Sequence, residues 1–200
     1  SDKLHDCAQI RGLIGRPREI EEDWVESRPT ANKNYASNLS EEIVMPTFQE
    51  MSRPENVLTP LLDQYSQVIL AGPPGTSKSY IANQFSKGFP QENVINIQFH
   101  PSYSYQNFIG GYTVDGVNVD WIDGVLFSFA EKAKANKEQS FLLIIDEINR
   151  ANVSQVFGET IQCLDRKNTT SVSRKGSLVD LELPSNLKII GTMNTSDRTI

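Results

Sequence analysis

Apolar runs recur along this chain, each closing in glycine or polar residues, and from about residue 54 onward their spacing predicts strands alternating with helices. Val68-Ile69-Leu70-Ala71 breaks into glycine and predicts a buried parallel strand, after which residues 78–87 are helical in composition with Gly88 as the stop. Val94-Ile95-Asn96-Ile97-Gln98-Phe99 alternates, which predicts a half-buried or edge strand. Leu126, Phe129, Ala130 and Ala133 fall on one stripe of a helix spanning residues 123–135. Phe141-Leu142-Leu143-Ile144-Ile145 is continuously apolar, as expected of a strand covered on both faces. A further helix is predicted over residues 154–164 with Val156, Phe157, Ile161 and Leu164 inward. A hairpin follows over residues 169–183, turning at Arg174-Lys175-Gly176, and then a last central strand over residues 187–193. Strands separated by helices predict right-handed parallel crossovers and a three-layer α/β domain.

The first 55 residues read differently. Gly15, Pro17, Pro29 and the polar run Thr30-Ala31-Asn32-Lys33-Asn34 break any long helix, although Ser40-Glu41-Glu42-Ile43-Val44-Met45 can start a short one. Residues 1–55 are therefore expected to be an N-terminal extension or linker, and residues 56–200 the core, entered through a short helix over residues 54–65.

Composition narrows the partners. A net charge of -6 argues against a basic sleeve for nucleic acid. The local clusters Arg11, Arg16, Arg18 and Arg166, Lys167, Arg174, Lys175 read as solvated surface. No apolar run reaches membrane-spanning length and the start lacks a hydrophobic segment, so a cytoplasmic address without membrane contact is expected. Cys7 and Cys163 read as free thiols, and His100 at a strand end as structural.

The candidate chemistry lies where apolar runs end. Gly72, Pro73, Pro74, Gly75, Thr76, Ser77, Lys78, Ser79 and Tyr80 form a glycine-bearing turn between a strand and a helix, a cradle for phosphate. The glycines allow close backbone approach, Lys78 reaches the β- and γ-phosphates, and the Ser79 hydroxyl is a Mg²⁺ ligand. Ser77 stands where the phosphate-loop formula has glycine, and ordinary helical dihedrals are expected there. Asp146, closing the apolar strand, suits a direct or water-mediated hold on Mg²⁺, and Glu147 the polarisation of an attacking water. Asn194, at the end of a neighbouring strand, could orient that water or touch the γ-phosphate. Ligands of open parallel sheets bind outside the strands' carboxyl ends, so these groups are expected to meet.

With these residues assembled, the chain resembles the P-loop NTPases of the AAA+ class. The runs Gln98-Phe99-His100-Pro101-Ser102-Tyr103-Ser104-Tyr105, Asp146-Glu147-Ile148-Asn149-Arg150-Ala151-Asn152 and Met193-Asn194-Thr195-Ser196-Asp197-Arg198 resemble the McrB family, motor subunits of McrBC-type modification-dependent restriction systems. The resemblance covers residues 61–200. It implies a ring-forming GTPase or ATPase using Mg²⁺, which drives DNA translocation and activates an McrC-like endonuclease subunit, with DNA held by regions outside this core. It also implies that Asn194 and Asp197 sense the γ-phosphate. An AAA+ module continues into an arginine finger, a fifth strand and a helical lid, and these are expected beyond Ile200, so the core reads as partial. Residues 57–67, with Asn56, Asp63 and Gln64, are expected to flank the purine. Two other readings share the motifs: an AAA+ ATPase that remodels protein clients outside restriction, and a non-hydrolysing nucleotide-gated assembly module.

Overall fold

The structure, a computed structural model, describes residues 53–196, and residues from Pro54 onward form one compact unit. The helix expected at residues 40–45, the cluster Arg11, Arg16 and Arg18, Cys7 and Asp197 lie outside the described residues.

Helix α1 (Pro54–Tyr65) leads into strand β1 (Gln67–Gly72), helix α2 (Lys78–Ser86) and strand β2 (Val94–Gln98). A short helix α3 (Tyr105–Phe108) is followed by strands β3 (Gly110–Asp115) and β4 (Asn118–Asp123), helix α4 (Val125–Ala135) and strand β5 (Phe141–Asp146). Then come a 3-10 turn (Ile148–Arg150), helix α5 (Val153–Phe157), a 3-10 segment (Gly158–Leu164), strands β6 (Thr170–Arg174) and β7 (Ser177–Leu181), and strand β8 (Leu187–Asn194).

The main sheet has the order β1-β8-β5-β2, and its three neighbour pairs are all parallel. Alternation along β5 shows why it is continuously apolar. Phe141, Leu143 and Ile145 join a cluster with Leu126, Phe129 and Ala133 of α4, whereas Leu142 and Ile144 join Leu58 and Leu62 of α1 and Ala82 and Phe85 of α2. Helices thus cover both faces, giving the three-layer α/β arrangement with β5 and β8 at the centre. The alternating strand β2 lies at an edge, as its pattern predicts.

Three local expectations are corrected. The helix expected over residues 154–164 stops at Phe157 because Gly158 takes a positive φ of 52°, and the chain continues as a 3-10 segment. The change of pitch rotates the inward face: Thr160 and Cys163 are buried and Ile161 is exposed. The helix after β1 ends at Ser86, one residue short of the range expected, with Lys87 as its C-cap and Gly88 next after it. Arg166 and Arg174 are not solvated surface. Arg166 donates to Gln67 Oε1, Pro184 O and Ser66 O, and burial lowers its pKa to about 10. Arg174 pairs with both oxygens of Asp123 and lies over the Phe127 ring, 4.8 Å from its centroid.

The β3–β4 hairpin was not expected. Its tip joins the β6–β7 hairpin in carrying large apolar side chains outward, among them Val114, Val117 and Leu178. Cys163 is a free, buried thiol.

Candidate active site

Parallel register brings the predicted residues to one end of the sheet. Gly72 pairs with Asn194 between β1 and β8, and Gln98 pairs with Asp146 between β2 and β5. The ends are tied across by Thr195 N–H donating to Gly72 O at 3.1 Å and Phe99 N–H donating to Asp146 O at 2.9 Å. Asp146 and Asn194 therefore inherit their positions from backbone ladders, and Glu147 follows directly after the end of β5.

The strand-to-helix loop wraps an open cleft of about 360 Å³, lined by Pro74 to Tyr80 together with Glu147, Arg150, Thr192 and Asn194. Gly75 sits at φ +79°, a conformation a side chain would strain. Ser77 also lies in the left-handed region, at φ 60° and ψ 18°, instead of the helical dihedrals expected of it. This explains the glycine of the phosphate-loop formula: the turn into α2 demands a left-handed residue, and Ser77 meets that demand at about 1 kcal/mol of strain. Lys78 folds back on the loop, donating to Gly72 O at 3.0 Å, Pro73 O at 2.7 Å and Thr76 Oγ1 at 3.2 Å. The exposed Tyr80 flanks the cleft from the first turn of α2.

At the end of β5, Asp146 Oδ1 accepts from the Ser79 hydroxyl at 2.7 Å and from the Thr192 hydroxyl. Two hard oxygens from separate elements, in direct contact, fit the protein share of a Mg²⁺ shell, which leaves its remaining positions to phosphate and water. Glu147 takes φ 54° and ψ 47°, and its N–H donates to Thr192 Oγ1 at 3.0 Å. Its Oε1 accepts a long contact, 3.4 Å, from Asn194 Nδ2, and its Oε2 lies against the Arg150 guanidinium. Asn149 Nδ2 donates to Asn194 O at 3.0 Å, so the polar run after β5 is laced to the end of β8.

The seven residues Pro74 to Tyr80, with Asp146, Glu147 and Asn194, are thus brought together; Gly72 and Pro73 enter through the carbonyls that hold Lys78. None of residues 57–67 lines the cleft, so the expected purine wall is not at this cavity. Sequence reasoning missed Thr192 and Arg150. Thr192 lies two residues before Asn194 on β8, the spacing that puts two side chains on one strand face, and that period was the available signal. Arg150 lies one 3-10 turn after Glu147, and its N–H donates to Glu147 O at 2.9 Å.

Comparison with known proteins settles the family. Residues 67–199 match the AAA domain (dynein-related subfamily). The chain is 39% identical over 161 residues to the Type IV methyl-directed restriction enzyme EcoKMcrB subunit of Escherichia coli (strain K12), a match covering 74% of this chain and 35% of that protein. The chain belongs to the McrB-like AAA+ NTPases. A second relative, the Type II restriction enzyme BsuMI component YdiS of Bacillus subtilis (strain 168), is 31% identical over 176 residues, covering 66% of this chain and 51% of that protein. The chain spans between about a third and a half of the length of these curated relatives.

Membership in the McrB-like AAA+ class agrees with the three-layer core and with a cleft at the strand ends lined by the glycine-bearing loop. Among the described residues, no helix is long and apolar enough to cross a membrane.

Proposed function

We propose that this chain is the nucleotide-hydrolysing core of an McrB-like restriction motor, which binds GTP or ATP with Mg²⁺ and couples its hydrolysis to DNA translocation and to activation of an McrC-like endonuclease subunit. The observation that carries the reading is the convergence of Lys78, Ser79, Glu147 and Asn194 on one cleft, with Asp146 bonded to Ser79, in a chain whose relatives are restriction components. GTP is the substrate we put first, on the McrB resemblance. The parent protein would assemble as a ring in the cytoplasm, holding DNA through regions outside this core, with residues 1–55 as an extension.

In the proposed reaction the phosphates occupy the loop, where Lys78 exchanges the carbonyls of Gly72 and Pro73 for phosphate oxygens. Ser79 and Asp146 would hold Mg²⁺, which would supply positive charge against that of the phosphates. Glu147 accepts a proton from water as the water oxygen bonds to the γ-phosphorus; the bond to the bridging oxygen breaks and the diphosphate leaves. Asn194 orients that water beside Glu147, and Asp197 is assigned, from the resemblance alone, to sensing the γ-phosphate.

The test is Glu147→Gln in the full-length parent, assayed with both triphosphates and Mg²⁺. Binding should persist while turnover falls by about a hundredfold or more. Turnover at the parental rate would remove Glu147 from the chemistry, and tighter binding and faster turnover of ATP would reject GTP as the substrate.

A further inference from the structure

Thr192 lines the cleft yet is 1% exposed, and its hydroxyl is used twice. It donates to Asp146 Oδ1 and accepts the Glu147 N–H at 3.0 Å. Register puts it there: Ile145 pairs with Gly191 between β5 and β8, so the next residues along the two strands are Asp146 and Thr192. A β-branched side chain in a strand is stiff at χ1, so the backbone aims the hydroxyl. The direction of the bonds is fixed as well. An amide can only donate, so Glu147 N–H occupies a lone pair of Oγ1 and the single hydroxyl proton turns to the carboxylate. Aspartate, by contrast, has a broad χ2 rotor, and its carboxylate keeps one plane only where donors pin it. Ser79 and Thr192 both donate to Oδ1, the first from the start of α2 and the second from β8. Thr192 belongs to the central ladder, so its bond ties the carboxylate to the most rigid part of the site.

We propose that Thr192 is a positioning residue for the metal: its hydroxyl sets the plane of the Asp146 carboxylate with which, together with Ser79, the cleft holds Mg²⁺. The inference rests on the NTPase reading above and deepens it. A group bonded to a ligating carboxylate orients it, and its loss lowers metal affinity by about 10- to 100-fold. Without the hydroxyl, Asp146 keeps the Ser79 bond alone and can turn about χ2. The phosphate loop, to which Thr192 makes no side-chain hydrogen bond, holds phosphate as before.

The experiment uses the full-length parent and follows binding of a fluorescent GTP analogue by anisotropy, first as Mg²⁺ is titrated and then in excess EDTA. Thr192→Val, Thr192→Ser and Asp146→Asn are compared, each shown to be folded by its thermal melt. Thr192→Val keeps the branched shape and removes the hydroxyl, and it should raise the Mg²⁺ concentration at half-maximal binding by about tenfold or more. Its affinity in EDTA should stay within about twofold of the parent's, because only the metal is affected. Thr192→Ser, which restores the hydroxyl, should return the Mg²⁺ midpoint to within about threefold of the parent's. An unmoved midpoint in Thr192→Val would overturn the proposal. So would a loss of equal size in EDTA, which would make Thr192 a support of the cleft as a whole, or a Thr192→Ser midpoint equal to that of Thr192→Val, which would assign the effect to the methyl group. A parental midpoint in Asp146→Asn would remove the metal assignment itself, a failure that the Asp146 variant reports separately from those of Thr192. Should Thr192→Val unfold, Thr192→Ala carries the same expectations.

Discussion

The strand-end cleft and the paired hairpins are held in place by opposite means. In the cleft, β1, β5 and β8 are locked in parallel register, and polar groups from different elements meet one another: Ser79 of α2 and Thr192 of β8 at Asp146, Asn194 of β8 at Glu147. The β3–β4 and β6–β7 hairpins lie outside the main sheet and are joined by the Asp123–Arg174 pair, with Trp121 Nε1 donating to the same carboxylate at 2.7 Å. Geometry that must hold to a fraction of an ångström is carried by the central ladder, where moving one residue means moving a sheet. The outlying hairpins need only keep their shape, and a few contacts suffice. Substitutions in the cleft should therefore change nucleotide handling with little effect on folding, and substitutions at the hairpin base should do the reverse.

The largest expected effect is Lys78→Ala. Lys78 contacts three oxygens of its own loop, all at the surface or half-buried, so the folded chain loses little when the ammonium is removed. Bound phosphate loses a charge-assisted contact, and nucleotide affinity should fall by at least about a hundredfold. Titration with a fluorescent triphosphate beside a thermal melt checks both halves, and a melting temperature lowered in step with affinity would break the comparison.

Next in size is Gly124→Ala, at the junction of β4 and α4. A Cβ there would stand 2.4 Å from Phe108 C and 2.5 Å from Ile109 N, both backbone atoms that cannot swing aside. Gly124 N–H also donates to Ile109 O at 2.9 Å, so relief of the clash breaks a buried bond. The expected loss is about 3 kcal/mol of stability, read from chemical denaturation. Nucleotide affinity of the remaining folded fraction should be unchanged.

That same junction marks where the sequence stopped being legible. A continuous apolar run announces β5 because burial on both faces leaves no polar position before Asp146, and the polar residues that end β5 and β8 then fall at the strand termini by register. The β3–β4 hairpin gives no such signal. Tyr112, Val114, Val119 and Ile122 are all exposed, so neither of its faces is recorded as a burial pattern, and its glycines at 110, 111 and 124 serve close packing as much as turning. Likewise, Lys78, Ser79, Asp146, Glu147 and Asn194 were legible as types at strand ends. Arg150 was not, because its contact depends on a left-handed Glu147 that no composition announces.

Asp123→Asn comes third and adds a pH dependence. The Arg174 hydrogen bond, helped by Trp121, holds the Asp123 carboxyl below its ordinary range. Stability from the pair is therefore present above the unfolded carboxylate's pKa and is lost as pH falls through the depressed folded value, that is, below about pH 4. With both partners partly solvated, the variant should lose about 1 kcal/mol at neutral pH. Its acid limb should be flatter than the parent's below pH 4, and parallel limbs would mean that the pair contributes nothing to folding.

The smallest effect tests the two regions against each other through the same backbone conformation. Ser77 in the cleft and Lys175 in the β6–β7 turn both have positive φ, 60° and 52°. Glycine relieves the left-handed strain at either position, and part of the gain is offset by the greater freedom glycine gives the unfolded chain. Ser77→Gly and Lys175→Gly should each stabilise by no more than about 0.5–1 kcal/mol, and by similar amounts, when compared by thermal melts. Their effect on nucleotide should differ. The Ser77 carbonyl accepts from Ile81 N–H at 2.8 Å in the first turn of α2, so added freedom at Ser77 loosens the start of the helix that presents N–H groups to phosphate. Ser77→Gly should shift triphosphate affinity by about twofold to threefold while Lys175→Gly leaves it unchanged. Equal affinities for the two variants and the parent would show that the left-handed residue is needed only to turn the chain, with no bearing on how the cradle holds its ligand.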